Sequence, residues 1–199
     1  MAETRTVQPL EANHLKGTNL YLVGMMGSGK STLGQRIAQQ LGYRCFDTDR
    51  LIEQAAGQAI PELFAQSGEA AFRELETQVL NQLAPYTRLV VATGGGIVVR
   101  RQNWGQLRHG IVIWLDVPIA ELVQRLQGDT SRPLLQRPDW PEHLAQILAD
   151  RQRLYQEADI HLAVNPGEGV EAIAERLFML LGDRLRFPWV HRQAPKPVD

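Results

Sequence analysis

Gly24-Met25-Met26-Gly27-Ser28-Gly29-Lys30-Ser31 is the stretch from which the rest of the chain can be read. It fits G-x-x-x-x-G-K-[ST], the glycine-rich loop that cradles phosphate. Its flanks fit as well. Leu20 to Val23 is a short apolar run that reads as a buried parallel strand. Thr32 to Leu41 carries Leu33, Ile37 and Leu41 at helical spacing, and Gly42 is well placed to end that helix. Glycine lets backbone N–H groups converge on an anion, and a helix N-terminus adds partial positive charge. Phosphate contacts are therefore expected from Gly27, Ser28, Gly29, Lys30, Ser31 and Thr32. Lys30 can reach the β- and γ-phosphates, and the Ser31 hydroxyl suits Mg2+. The alternative is a Gly/Ser turn that happens to hold a lysine. The agreement of strand, loop and helix argues against it.

The 199 residues suit one domain with small insertions, and at 44 % hydrophobic the chain can fill a core. A formal net charge of −1 argues against a nucleic-acid or membrane-surface binder. No apolar run spans a bilayer, and residues 1–17 hold no signal-like apolar stretch, so a cytoplasmic protein is expected; a monomer is the separate expectation for its oligomeric state. Cys45 is the sole cysteine, in an apolar run, and reads as an inert buried thiol. The five histidines show no metal-site spacing.

Along the chain, residues 1–18 are polar and aperiodic and read as a loose arm. Further strands are expected at Tyr43–Phe46, Leu89–Ala92, Ile111–Leu115 and Ile160–Val164. Helices are expected at Leu51–Ala56, at Ile60–Ala65, after an N-cap at Ser67, at Ile119–Leu126, Glu142–Tyr155 and Glu168–Leu181. Residues 128–140 hold Pro133 and Pro138 and read as a long loop; 183–199 reads as a tail. Short apolar strands alternating with helices imply an α/β fold, a five-stranded parallel sheet covered on both faces as a three-layer sandwich. Ligands of such sheets bind at the carboxyl ends of the strands.

Those ends carry acids, glycines and, nearby, arginines. Asp47 and Asp49 stand two residues apart after the second strand. They can hold a metal's waters or position an attacking hydroxyl, or they can be turn and cap residues. Gly94-Gly95-Gly96 follows the third strand and reads either as an anion-binding nest of three N–H groups or as a plain turn. Arg73 lies four residues after Glu69, which by itself is a surface ion pair. Arg125, Arg132 and Arg137 lie in or beside the long loop and Arg151 on a helix; each can meet phosphate or only solvent. Pattern alone leaves the metal-side acid open between Asp47 and Asp116.

Taken together, residues 20 to 180 resemble shikimate kinase. The matching pieces, in order, are the glycine loop, Phe46-Asp47-Thr48-Asp49, Ile60 to Phe64, Gly68 to Arg73, Gly94-Gly95-Gly96, Arg132 to Leu135 and Arg151 to Tyr155. The resemblance implies a nucleoside-monophosphate-kinase-like P-loop fold, with a single kinase domain over 19–182, a substrate-binding subdomain at about 50–80 and a lid at about 128–140. It implies transfer of the ATP γ-phosphoryl group to the 3-hydroxyl of shikimate, on the route to chorismate and the aromatic amino acids. By matching position, Asp49, Arg73, Gly94, Gly95, Gly96 and Arg151 would hold shikimate. Arg132 would close on the phosphates, Arg125 would stack on adenine, and Asp47 would act on Mg2+ through water. The catalytic set would be Lys30, Asp49 and Arg132. The loop Asn165-Pro166-Gly167 is shortened against the family, and no role is carried over to it. The rivals are a kinase of another small hydroxy acid such as gluconate, which the pieces around Arg73 and Arg151 disfavour, and a non-catalytic relative, which would have lost matched residues.

Lys30→Ala is expected to abolish nearly all turnover and leave the fold intact, because the ammonium faces phosphate oxygens whose charge shifts during transfer. A coupled ATP-consumption assay beside far-ultraviolet circular dichroism checks both halves.

Overall fold

The computed structural model describes residues 12–129 and 133–186; Arg132 and the expected chain ends at 1–11 and 187–199 lie outside the described residues. Five parallel strands form one sheet: β1 (Leu20–Val23), β2 (Arg44–Asp47), β3 (Leu89–Ala92), β4 (Ile111–Asp116) and β5 (Ile160–Ala163). Their spatial order is β2-β3-β1-β4-β5. The seven helices described are α1 (Lys30–Leu41), α2 (Thr48–Ala56), α3 (Ile60–Leu83), α4 (Arg101–Leu107), α5 (Ile119–Leu126), α6 (Trp140–Tyr155) and α7 (Val170–Arg186). None is long and apolar enough to cross a membrane.

The expected α/β architecture is present. Strands β1 and β3 are buried at every position, and β4 at all but Asp116, because helices cover both faces of the sheet's middle. Edge strand β5 instead alternates buried and exposed residues. Asn19, just before β1, aligns three strands. Its backbone carbonyl accepts from Ile111 N–H (2.9 Å), its side-chain oxygen from Leu89 N–H (2.9 Å), and its amide donates to the Tyr86 carbonyl (2.7 Å). Because β3 lies between β1 and β2, the glycine loop after β1 and the Gly94–Gly96 triplet after β3 are neighbours.

Several boundaries depart from the sequence reading. Helix α2 begins at Thr48, so Asp49 sits in its first turn and does not leave a strand. The two helices expected on either side of Ser67 are present; they run together as α3 and are separated by a non-helical kink at Gly68 (φ 75°, ψ 176°). A short helix, α4, and the 3-10 turn Ile97–Val99 occupy residues given no element from the sequence. Helix α7 continues to Arg186, past the expected tail boundary at 183, because Arg184 holds Asp159 (2.6 Å) and its carbonyl (2.8 Å). The arm reading does not hold for residues 12–18. Ala12–Leu15 is a 3-10 turn, Leu15 is 1 % exposed in the core, and the Gly17 carbonyl accepts from Arg88 N–H.

Leu15→Ala is expected to lower the unfolding free energy by about 2 to 5 kcal/mol, the usual cost of a buried leucine's truncation. Urea denaturation measures it, and a surface arm would show no change.

Candidate active site

The glycine loop meets its strand and helix as the motif requires. Gly24 has φ 139°, and a Cβ there would lie 2.6 Å from the Leu115 carbonyl oxygen of β4, so no other residue fits. Helix α1 begins at Lys30 with Gly29 as N-cap and no side-chain cap, which leaves first-turn N–H groups facing the loop. Lys30 is nearly buried. Its ammonium donates to the carbonyls of Met25 (2.7 Å) and Gly24 (3.0 Å) and to the Ser28 hydroxyl (3.3 Å), so a cation stands at the centre of the cradle. Thr32 is exposed in the first turn of α1. Arg125 lies over the same loop, paired with Glu121 (2.9 Å), with its guanidinium 3.5 Å from the Ser28 carbonyl.

Asp47 fills the cap role that the sequence offered and also touches the phosphate loop's helix. Its Oδ1 caps α2, accepting from the N–H groups of Asp49 (3.0 Å) and Arg50 (3.4 Å), while its Oδ2 accepts the Ser31 hydroxyl. Asp116 is elsewhere: its carboxylate meets His161 Nε2 at 2.7 Å on the β5 side. Among the described residues no cluster of three or more His, Cys, Asp or Glu could hold a metal. The Ser31–Asp47 pair does fit Mg2+, which keeps most of its water and takes one or two protein oxygens beside substrate phosphates. The pair lines an open cleft of about 220 Å³, with room for a hydrated cation. Cys45, read from the sequence as buried, is only half-buried and lines the same cleft; burial pushes its thiol up.

The triplet after β3 gathers the remaining candidates. Thr48, fully buried, accepts the Gly94 N–H (2.9 Å), so a nest of three available N–H groups does not exist there. Smallness matters instead. A Cβ on Gly94 would lie 2.7 Å from Asp49 Oδ1 and 2.6 Å from Glu76 Oε1, and one on Gly96 would fall on the Arg73 guanidinium. Arg151 donates to the Gly95 carbonyl (3.2 Å). Asp49, Arg73 and Arg151 thus come from three different helices to three successive glycines. Gly95 itself packs on the phosphate loop, where a Cβ would sit 3.3 Å from Met26 N and 3.4 Å from the Gly24 carbonyl.

A family model described as shikimate kinase matches residues 26–181. The chain belongs to the shikimate kinase family. The shikimate kinase of Trichormus variabilis is 50 % identical over 172 residues, which are 86 % of this chain and 95 % of that protein. One from a Synechococcus species is 53 % identical over 189 residues, 94 % of this chain and 96 % of its own. Among solved structures, shikimate kinase from Acinetobacter baumannii in complex with shikimate superposes with a TM-score of 0.81 at 36 % identity, covering 86 % of this chain and 97 % of that one. The phosphotransferase class and P-loop fold of the family agree with the architecture described above.

In this shikimate kinase family member, sequence reasoning missed Glu76. It is fully buried and takes the Arg73 guanidinium at 2.6 Å, while the surface pair expected with Glu69 also forms (2.9 Å). The signal was present: Glu76 lies four residues from both Phe72 and Leu80, a charge inside the apolar stripe of α3. Tyr155 was also missed as a site residue. Its hydroxyl donates to the Gly95 carbonyl at 2.6 Å. Burial raises the Glu76 carboxyl above its ordinary value near 4.5; Arg73 opposes that rise and Asp49 adds to it.

A carboxyl raised in the folded state binds its proton more tightly there than in the unfolded chain. Its contribution to stability is full below about pH 4.5 and falls as pH climbs through the raised value. Glu76→Gln, which cannot titrate, should therefore gain melting temperature relative to the parent between pH 4 and pH 7. A difference that stays flat across that range would show that Glu76 does not titrate high.

Proposed function

We propose that these residues transfer the γ-phosphoryl group of ATP to the 3-hydroxyl of shikimate, giving shikimate 3-phosphate, the reaction of the family to which the chain belongs. The meeting of Asp49, Arg73 and Arg151 on a glycine triplet that packs directly against the phosphate loop supports the reading most. That arrangement sets a carboxylate-and-hydroxyl acceptor beside the end of a nucleotide's phosphate chain. Arg73 and Arg151 present forked donors that match the acceptor's carboxylate. Residues of α2 and α3, about 50–80, form the acceptor's subdomain, and the segment around 128–140 is the lid. Arg132, outside the described residues, joins the phosphate contacts by its place in the family motif, and Arg125 stacks on the adenine. The enzyme works as a monomer in the cytoplasm.

During transfer the bond from γ-phosphorus to the ADP oxygen breaks, and one to the shikimate oxygen forms. The loose transition state calls for positioning and charge neutralisation more than for a strong base. Asp49 orients the hydroxyl and accepts its proton. Lys30 swings its hydrogen bonds from loop carbonyls to phosphate oxygens and offsets their charge. Ser31 and Asp47 would hold Mg2+, Asp47 through water, and the ion would neutralise phosphate charge when bound.

An ATP-consumption assay with and without shikimate tests the reaction; gluconate in its place should give no turnover. Arg73→Lys and Arg151→Lys should each raise the shikimate KM by about tenfold or more and leave the ATP KM nearly unchanged, since lysine keeps charge and loses the fork. If Arg73 served only Glu69 and Glu76, its shikimate KM would not move. Among the acids, Asp49→Asn should lower kcat by about a hundredfold or more, the usual scale of a lost proton acceptor. Asp47→Asn should raise the Mg2+ requirement and be partly rescued by excess Mg2+. Asp116→Asn should do neither. A magnesium phenotype at Asp116 in place of Asp47 would overturn the metal assignment.

A further inference from the structure

We propose that Tyr155 is a positioning residue for the acceptor site, acting through the Gly95 carbonyl on Arg151; this rests on the assignment of Arg151 to the acceptor's carboxylate. Helix α6 places Arg151 and Tyr155 one turn apart on one face. Both reach the same oxygen: the Tyr155 hydroxyl donates to the Gly95 carbonyl at 2.6 Å and Arg151 at 3.2 Å. The Tyr155 hydroxyl also lies 3.5 Å from Met25 Sδ in the phosphate loop, and the Met25 carbonyl is the one Lys30 holds at 2.7 Å. One phenol therefore touches the loops of both substrates.

The ring cannot drift. Tyr155 is fully buried, and its ring stacks on Trp114 of β4 with centroids 5.7 Å apart and planes 17° apart. Trp114 is itself stacked on His161 (4.4 Å, 11°). Burial pushes the Tyr155 hydroxyl up to about 12, so it stays a proton donor throughout the neutral range. A carbonyl oxygen has two lone pairs and a guanidinium five N–H donors. With Tyr155 on one lone pair, Arg151 satisfies the other with a single N–H and keeps the rest of its fork for a carboxylate. Without the hydroxyl, the half-satisfied buried carbonyl draws Arg151 further onto itself, or turns, and the fork leaves its place. The phosphate cradle keeps its own Lys30 hydrogen bonds, so the nucleotide side should be spared.

The test is Tyr155→Phe in the full chain, which removes one oxygen and keeps the ring. Titration calorimetry with shikimate and with ATP, beside steady-state kinetics, should show the shikimate Kd and KM raised about tenfold, the scale of one lost hydrogen bond. The ATP values should stay within about twofold. In an Arg151→Lys background the same substitution should have a much smaller effect on shikimate, because the route through Arg151 is already broken. A lowered melting temperature with unchanged shikimate Kd would overturn the proposal, as would equal losses for both substrates or full additivity with Arg151→Lys. If Tyr155→Phe does not fold, Trp114→Phe, which loosens the ring and keeps the hydroxyl, must raise the shikimate Kd and leave that of ATP; an unchanged shikimate Kd there overturns it equally. A parent chain that binds ATP and not shikimate would count against the proposed function itself, separately from Tyr155.

Discussion

The structure depends on three successive residues that have no side chains. At Gly94, Gly95 and Gly96 the backbone is approached by Asp49, Glu76, Arg73, Arg151 and Tyr155 at once, and by the phosphate loop from behind. Methyl groups at Gly94 and Gly96 would occupy the places of Asp49 and the Arg73 guanidinium. The missing Cβ atoms, more than any flexibility, let these side chains meet. In the proposed function they would also set the acceptor's depth, against main chain that packs on the phosphate loop.

Charge placed at such depth must be compensated. Arg73 is brought from a solvated helix face into the site, where its side chain is 14 % exposed, and the fully buried Glu76 meets it there. A buried pair of this kind adds little net stability, but removing one partner leaves an uncompensated charge. Glu76 is better understood as fixing where the guanidinium points. Glu69, largely exposed, holds the other edge of the fork and can be displaced by a competing carboxylate at small cost. Tyr155 does for Arg151, as a neutral donor to the carbonyl they share, what Glu76 does for Arg73 as an acceptor.

Much of this was legible in the sequence. The glycine loop, its strand and its helix were readable because the motif is short, contiguous and self-explaining. So was the α/β class, because short apolar runs alternate with amphipathic ones. By pattern alone Asp47 was one of two metal-side candidates, and the resemblance favoured it; in the structure Asp47 meets Ser31, while Asp116 pairs with His161. Spacing left the triplet open between a nest and a plain turn, and only the fold shows that the Thr48 hydroxyl, forty-six residues away, takes the Gly94 N–H. Leu15 was misread as part of an arm because one leucine in a polar stretch has no periodicity; only the core it enters shows its role.

The sequence by itself determined the local elements, the phosphate cradle and the residue types available for chemistry, since each of these is set by neighbours within a turn or two. The tertiary structure alone decided which of them meet. The order β2-β3-β1-β4-β5 inserts β3 between β1 and β2, and this sets the triplet against the phosphate loop. Strand order follows from how helices pack across the whole sheet, and no spacing along the chain encodes it. For the same reason the sequence did not show the roles of Glu76 and Tyr155: Glu76 meets Arg73 one turn away where the fold buries it beside Gly94, and Tyr155 reaches Gly95, sixty residues away, only through the fold.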